Sequence, residues 1–179
     1  ALLRSVDDIK GLANPRERLM LATLLLDVQE TDEVKRRAIG WLAHAPDTRF
    51  AQTLMAYLGQ RKAYDTAIKI AAAASKPGDA LSLSVAELML ERDQTAAART
   101  YLRGWLEASD IEQSALVSRF IEAALDAEAP ELALLSARRF GLEKLPEKDL
   151  VQIAEALGAT GRRDEFELVR AALNADTIV

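Results

Sequence analysis

Four positions recur along this sequence at nearly regular intervals: Ala67, Ala98, Ala133 and Phe166. Each lies near the start of a segment whose apolar residues are spaced as on one face of a helix. A spacing of about 34 residues, which these intervals approach, is typical of stacked α-helical repeats, in which one unit cannot bury its apolar face without its neighbours. The spacing therefore predicts an array of helix pairs, an architecture that favours partner binding over catalysis.

Proline, glycine and helix-capping residues divide the chain into ten helical segments. Pro15 suits a first helical turn, and Asp47 or Thr48 suits a helix N-cap. The predicted helices span about 14–29, 31–44, 47–60, 62–75, 79–92, 95–108, 110–127, 130–140, 146–159 and 162–174. They form five pairs, roughly 14–45, 46–77, 78–109, 110–145 and 146–175, within one segment covering 1–179. No strand-like alternation of useful length interrupts them, so the predicted fold class is all-α.

The packing positions of these pairs resemble the tetratricopeptide repeat family. The last pair matches through Leu150, Ile153, Ala154, Leu157 and Phe166, and the pair around Ala98 through Val85, Ala86, Met89 and Leu102. Pro46 and Pro146 stand near the family's inter-repeat proline. The resemblance covers about residues 14–174 and implies a right-handed superhelical stack of about five antiparallel helix pairs.

The sequence also departs from the family pattern. The family's tryptophan–leucine–glycine–tyrosine core is absent, and Trp41 and Trp105 lie in second helices. Phe166 is large where the family prefers alanine, and Ser82 is a poor first packing residue. Related helical hairpin repeats therefore stay open as alternatives.

Composition excludes several classes of function. The net charge of −5 argues against nonspecific nucleic-acid binding, which requires a basic surface. The chain contains no cysteine, which excludes disulfides and thiolate metal sites. Its longest apolar stretches are too short for a membrane span. Because the chain begins with Ala1 and not with methionine, we interpret it as a piece of a larger protein. The absence of an obvious polar capping helix indicates that its ends pack against further repeats.

No pattern of residues predicts catalysis. The single histidine, His44, stands at the end of a predicted helix without a second histidine or a cysteine to assist it. A favourable interaction with the helix dipole explains it better than catalysis. Gly-rich phosphate loops, nucleophile motifs and metal-ligand clusters are absent from the sequence. We therefore expect no enzyme activity, no cofactor and no metal.

Charge divides the predicted helices into two groups. The first helices of the pairs carry net negative charge and the second helices net positive charge. Glu87, Glu122 and Glu155 each lie eleven residues before a position of the recurring set, and the tetratricopeptide resemblance implies that this place faces the concave groove. A row of carboxylates there would attract a cationic polymer or a basic peptide. The alternative is that glutamate is simply a good helix former on a solvated face.

Other exposed groups offer weaker binding candidates. Among the aromatic residues, Tyr57 is the best candidate for the groove, whereas Trp41, Tyr64, Tyr101 and Trp105 are interpreted as packing residues. The basic runs Lys35–Arg37, Arg138–Arg139 and Arg162–Arg163 suit either an acidic partner or a solvated convex surface. The first helices carry too few Lys, Arg and Asn residues for the family's carboxylate-clamp subtype.

The predicted function is that of a noncatalytic scaffold. The degenerate Ala/Leu/Arg-rich repeats are similar in style to the periplasmic repeat region of Gram-negative exopolysaccharide secretion proteins of the Pel type, which serve biofilm formation. That resemblance implies a periplasmic segment that recruits a polysaccharide-modifying enzyme or guides a cationic polysaccharide along an acidic groove. The alternative is a general protein–protein interaction adaptor in the cytoplasm or periplasm.

Overall fold

Helices joined by short turns make up most of the described residues. A computed structural model describes residues 14–44, 47–76, 78–109 and 113–175. Within these ranges no strand occurs, so the all-α prediction is confirmed. The described part of the chain contains ten α-helices: α1 (Pro15–Asp27), α2 (Thr31–His44), α3 (Thr48–Gln60), α4 (Tyr64–Ala74), α5 (Ala80–Glu91), α6 (Thr95–Ala108), α7 (Ser114–Asp126), α8 (Pro130–Phe140), α9 (Glu147–Ala159) and α10 (Arg163–Ala175).

The chain divides into two compact units, Ala1–Lys76 and Pro77–Val179. In the first unit α1 packs on α2 and α3 on α4, with α2 also against α4. In the second unit the pairs are α5 with α6, α7 with α8 and α9 with α10, and α7 contacts both α5 and α9. Consecutive helices thus pack in adjacent pairs, an arrangement compatible with a helical repeat solenoid.

The helices of every pair are joined by the same turn. In the first turn the Glu30 N–H donates to the Leu25 carbonyl at 2.8 Å, and the Gln29 N–H donates to the Leu26 carbonyl at 3.0 Å. This pair of hydrogen bonds around a left-handed residue is the Schellman motif. The left-handed residues, called turn residues below, are Gln29, Lys62, Asp93, Glu128 and Gly161. Equivalent bonds close all five turns.

The turns correct two predicted helix boundaries. Helix α1 ends at Asp27 instead of Gln29, and α4 begins at Tyr64 instead of Lys62. The reason is the same in both places: Gln29 and Lys62 have φ values of 62° and 57°, which a right-handed helix does not accept.

The predicted helix starts agree more closely with the structure. The Asn14 side chain caps α1 ahead of Pro15, and the Asp47 side chain accepts from the Phe50 N–H at 2.9 Å to cap α3. Helix α7 begins at Ser114, whereas the prediction began at residue 110, and residues 110–112 lie outside the described ranges.

The recurring small positions lie inside the pairs, five residues after each turn residue. Ala67, Ala98 and Ala133 are fully buried there. Val34 occupies the same place in α2 and is also fully buried, so the series has a fifth member that the sequence analysis missed. Small side chains at this point allow the two helices of a pair to approach closely.

In the last pair the side-chain sizes at the two facing positions are reversed: the small residue is on the first helix and the large residue is on the second. Eight residues before Ala98 and Ala133 stand Leu90 and Leu125, whereas Gly158 stands eight residues before Phe166. A Cβ atom on Gly158 would lie 3.6 Å from Phe166 Cδ2, so the ring extends to the surface of the glycine. The large residue has moved from the first helix of the pair to the second, which explains the phenylalanine that departs from the family pattern.

Ser82 has a structural reason to be polar. It is buried, and its hydroxyl accepts a 2.9 Å hydrogen bond from Nε1 of the buried Trp105 indole. The indole also stacks on Phe120 with ring centroids 5.1 Å apart. Since a buried N–H needs an acceptor, a serine suits this packing position better than an apolar residue would.

Candidate functional site

The three predicted groove glutamates lie at equivalent places on three helices of the second unit. Glu87 on α5, Glu122 on α7 and Glu155 on α9 each stand six residues before a turn residue. The same place is occupied by Thr23 in α1 and Ala56 in α3. The row of carboxylates is therefore confined to the second unit.

Glu87 is held by an arginine of the next pair. Nη2 of Arg119, on α7, lies 2.7 Å from Glu87 Oε2 and 2.8 Å from Oε1, while Nε lies 3.1 Å from Oε1. Arg119 also donates to the Ser84 hydroxyl at 3.1 Å. Charge-assisted contacts to both carboxylate oxygens fix the two side chains and neutralise Glu87.

Glu122 also has a basic partner, but a more exposed one. Lys148 Nζ, from the first turn of α9, donates to Glu122 Oε1 at 2.8 Å, and this hydrogen bond raises the pKa of Lys148. Exposed pairs of this kind contribute little to stability and exchange readily with other ions. Glu155 is exposed on α9.

An open cleft between α5 and α7 gathers most of the carboxylates. It measures about 590 Å³ and is lined by Glu87, Leu90, Glu91, Asp93, Thr95, Arg119, Glu122, Ala123 and Asp126. Five of these residues are acidic and one is basic. After Arg119 has compensated Glu87 and Lys148 has compensated Glu122, the remaining acids Glu91, Asp93 and Asp126 keep the cleft negative.

Two residues of this acidic cleft form a second series that the sequence analysis missed. Glu91 and Asp126 each stand two residues before a turn residue, and both are the last residues of their helices. Measured from the recurring small positions, each lies seven residues before Ala98 or Ala133. The same spacing rule that identified Glu87 and Glu122 would have found them.

The position of these acids is electrostatically unfavourable in the free protein. A helix C-terminus carries partial negative charge, so carboxylates there are repelled. Glu91 ends α5, Asp126 ends α7, and Asp93 lies in the turn after α5. All three side chains are exposed. The acidic cleft thus combines two helix C-termini with like-charged side chains, an arrangement that a bound cation would stabilise.

Tyr57 lies in the first unit, on α3. Its hydroxyl accepts a 2.9 Å hydrogen bond from Arg61, whose guanidinium also lies 4.8 Å from the centre of the tyrosine ring. Arg61 in turn pairs with Asp27 of α1 at 2.5 Å. Tyr57 thus belongs to a contact between two neighbouring helix pairs, in a different unit from the three glutamates.

The predicted basic runs are engaged within the protein. Arg36 and Arg37 both bind Glu33 at 2.7 Å, and Arg37 is buried. Arg139 donates to the Leu106 carbonyl at 2.6 Å near the end of α6, and Arg162 pairs with Glu131 at 3.4 Å. These contacts give structural roles to Arg36, Arg37, Arg139 and Arg162.

Several further features bear on the choice of function. The side chain of His44, the single histidine, lies outside the described part of the chain. Within the described residues, no three His, Cys, Asp or Glu side chains form a group suited to a metal ion. No helix in those ranges has both the length and the apolar character needed to cross a membrane. No protein-family model matches the chain, and no curated protein matches it.

Proposed function

We propose that this chain is a noncatalytic scaffold of the tetratricopeptide type and that the acidic cleft binds a cationic polymer. The observation that carries the proposal is the placement of Glu91, Asp93 and Asp126 at the C-terminal ends of two adjacent helices. Their mutual repulsion disfavours the unbound state, and a cation bound between α5 and α7 relieves it.

The charge and openness of the acidic cleft favour an extended ligand with spaced positive groups. Arg119 illustrates the recognition chemistry, since its guanidinium is held by both oxygens of Glu87. A partly deacetylated amino polysaccharide carries ammonium groups at intervals along its chain and suits such a surface. The resemblance to Pel-type secretion proteins supports this ligand class and a periplasmic location.

A basic segment of a protein partner is the second candidate. The contact between Arg119 and Glu87 favours it, because the group bound there is itself an amino-acid side chain. In this version the chain is an interaction adaptor that recruits one protein partner, for example a polysaccharide-modifying enzyme.

Binding of defined oligomers tests the proposal. Isothermal titration calorimetry at low salt would compare a glucosamine oligomer, its neutral N-acetylated counterpart and an oligolysine of similar charge. The test variant is the triple substitution Glu91→Gln, Asp93→Asn and Asp126→Asn. The matched control, Glu107→Gln, Glu143→Gln and Glu167→Gln, removes the same formal charge from exposed residues outside the acidic cleft.

We expect the glucosamine oligomer to bind and the neutral oligomer not to bind. The test variant should weaken binding on the order of tenfold, since each exposed charge contributes about 0.5 kcal/mol, and the control variant much less. Binding should also weaken as salt screens the charges. Binding of oligolysine alone would favour the adaptor, and equal losses in the two variants would refute a role for the acidic cleft.

A further inference from the structure

An open cavity lies between α1 and α3 in the first unit, where these two helices contact each other. It measures about 390 Å³, which is within the range of small-molecule sites. Its lining includes Arg16 and Leu19 of α1, together with Asp47, Arg49 and Phe50 at the start of α3. With two basic residues and one acidic residue, the described lining carries a net positive charge. We call it the basic cavity.

The two arginines of the basic cavity occupy the same place in consecutive helix pairs. Arg16 stands thirteen residues before the turn residue Gln29, and Arg49 stands thirteen residues before Lys62. Both arginines are exposed, and neither has a carboxylate partner among the residues that the structure describes. Their guanidinium groups are therefore available to an anion from outside the chain.

The second unit shows how the chain itself neutralises a cation at this place. Lys148 is the equivalent residue of α9, and it donates to Glu122 on the preceding first helix at 2.8 Å. On α1 the place of Glu122 is held by Thr23, which is uncharged and whose hydroxyl donates to the carbonyl four residues before it at 2.9 Å. Arg49 therefore lacks the acid on the preceding helix that Lys148 receives.

The other residues of the basic cavity restrict the kind of anion. Phe50 is buried and Leu19 is partly buried, so apolar surface lies beside the guanidinium groups. The Asp47 carboxylate, which accepts from the Phe50 N–H at 2.9 Å, also lines the cavity. It repels a doubly charged phosphate more strongly than a singly charged carboxylate. A planar carboxylate also matches the fork of donors on a guanidinium group.

We propose that the basic cavity binds an organic carboxylate whose apolar or aromatic group packs beside Leu19 and Phe50. The ligand carboxylate neutralises Arg49 as Glu122 neutralises Lys148 in the second unit, and Arg16 supplies a second guanidinium group. This ligand is opposite in charge to that of the acidic cleft, and its binding does not depend on that cleft.

Nuclear magnetic resonance of the arginine Nε–H groups tests this site in the complete chain. The chain would be titrated at low salt with phenylacetate, with acetate, which lacks the aromatic group, and with inorganic phosphate. Arg49→Gln removes one guanidinium group, whereas Thr23→Glu keeps both and supplies the acid that the second unit has at this place. Arg103→Gln on α6 is the matched control, since Arg103 is also exposed and has no carboxylate partner in the described ranges. Circular dichroism would verify that each variant is folded.

We expect phenylacetate to shift the Arg16 and Arg49 signals to saturation and to bind more tightly than acetate or phosphate. Arg49→Gln and Thr23→Glu should each weaken its binding about fivefold, the loss expected for one charge-assisted pair at an exposed site. Arg103→Gln should leave the affinity unchanged. Equal shifts at arginines throughout the chain, or phosphate binding as tightly as phenylacetate, would overturn the proposal. Unchanged affinity in both Arg49→Gln and Thr23→Glu would also overturn it.

Discussion

Substituting Gly158 and Phe166 together should reduce stability less than the two single substitutions predict. The double variant Gly158→Leu and Phe166→Ala recreates in the last pair the leucine–alanine combination of Leu90 with Ala98. In the native last pair the Phe166 ring lies beside Gly158, and these two residues stand at the places that Ala98 and Leu90 hold in the earlier pair. If the two positions share one volume, their substitutions must be coupled.

The structure sets the expected magnitudes. Replacing a fully buried core phenylalanine by alanine lowers the free energy of unfolding by about 3–5 kcal/mol. Because Phe166 is only partly buried, Phe166→Ala should lower it by about 2 kcal/mol. Gly158→Leu should cost about 1 kcal/mol, because overlap with the ring outweighs the gain in helix propensity. The double variant should lie within about 1 kcal/mol of the natural protein, a coupling of about 2 kcal/mol.

Tryptophan fluorescence during urea unfolding can report the second unit alone. The chain has two tryptophans, Trp41 in the first unit and Trp105 in the second, so a Trp41→Phe background leaves only the latter signal. Gly158→Ala is the internal control. Its Cβ would make an ordinary contact with Phe166, so it should stabilise the helix by about 0.5–1 kcal/mol. Strictly additive effects of Gly158→Leu and Phe166→Ala would refute the shared volume.

Two further predictions concern backbone conformation and pH. Gly161 has a φ of 73° and Gly104 lies inside α6, and a Cβ at either place would meet no atom within 4 Å. In urea unfolding, Gly161→Ala should therefore destabilise the protein by about 1 kcal/mol, whereas Gly104→Ala should stabilise it by about as much. Changes in the free energy of unfolding with the same sign for both variants would contradict the turn assigned at Gly161. The hydrogen bond from Arg36, with a second from Arg37, lowers the pKa of Glu33 to about 2 from an ordinary 4.5. The stabilisation by ionised Glu33 is thus present above pH 4.5 and lost as pH falls towards 2. Glu33→Gln should therefore lower the urea midpoint at pH 7 but not near pH 2. A difference between the two proteins that does not depend on pH would contradict this.

The helical segments could be predicted from the sequence because their boundaries are locally determined. Asn14 before Pro15, and Asp47 before Thr48, cap helices through bonds that span two or three residues. The buried small positions could be found for a similar reason, since their spacing is visible without knowledge of any contact. Local chemistry and periodicity were sufficient for these features.

The turn residues could not be predicted in the same way. Of the five, Gly161 favours positive φ and Asp93 is a type enriched there, whereas Gln29, Lys62 and Glu128 adopt it within the Schellman bond pattern. Their conformation depends on the hydrogen bonds that join two packed helices. The ion-pair partners of the predicted groove residues could not be predicted from the sequence for a related reason. Arg119 and Glu87 are 32 positions apart, and their contact arises from the packing of α7 on α5.

The contacts between neighbouring pairs assign different roles to the two acidic series. Glu87 and Glu122 receive Arg119 and Lys148 from the next pair. These acids link consecutive first helices, so their removal should perturb packing as well as charge. Glu91 and Asp126 instead lie exposed at helix ends, where the backbone dipole repels them, and they line the acidic cleft. Asp27 holds the equivalent end of α1, where it pairs with Arg61 of the next pair. Residues that oppose local stability while lining a shared cleft are better explained by ligand binding than by folding. The acids at the helix ends are therefore the sharper test of the proposed function, and Glu87 is the sharper test of the stack.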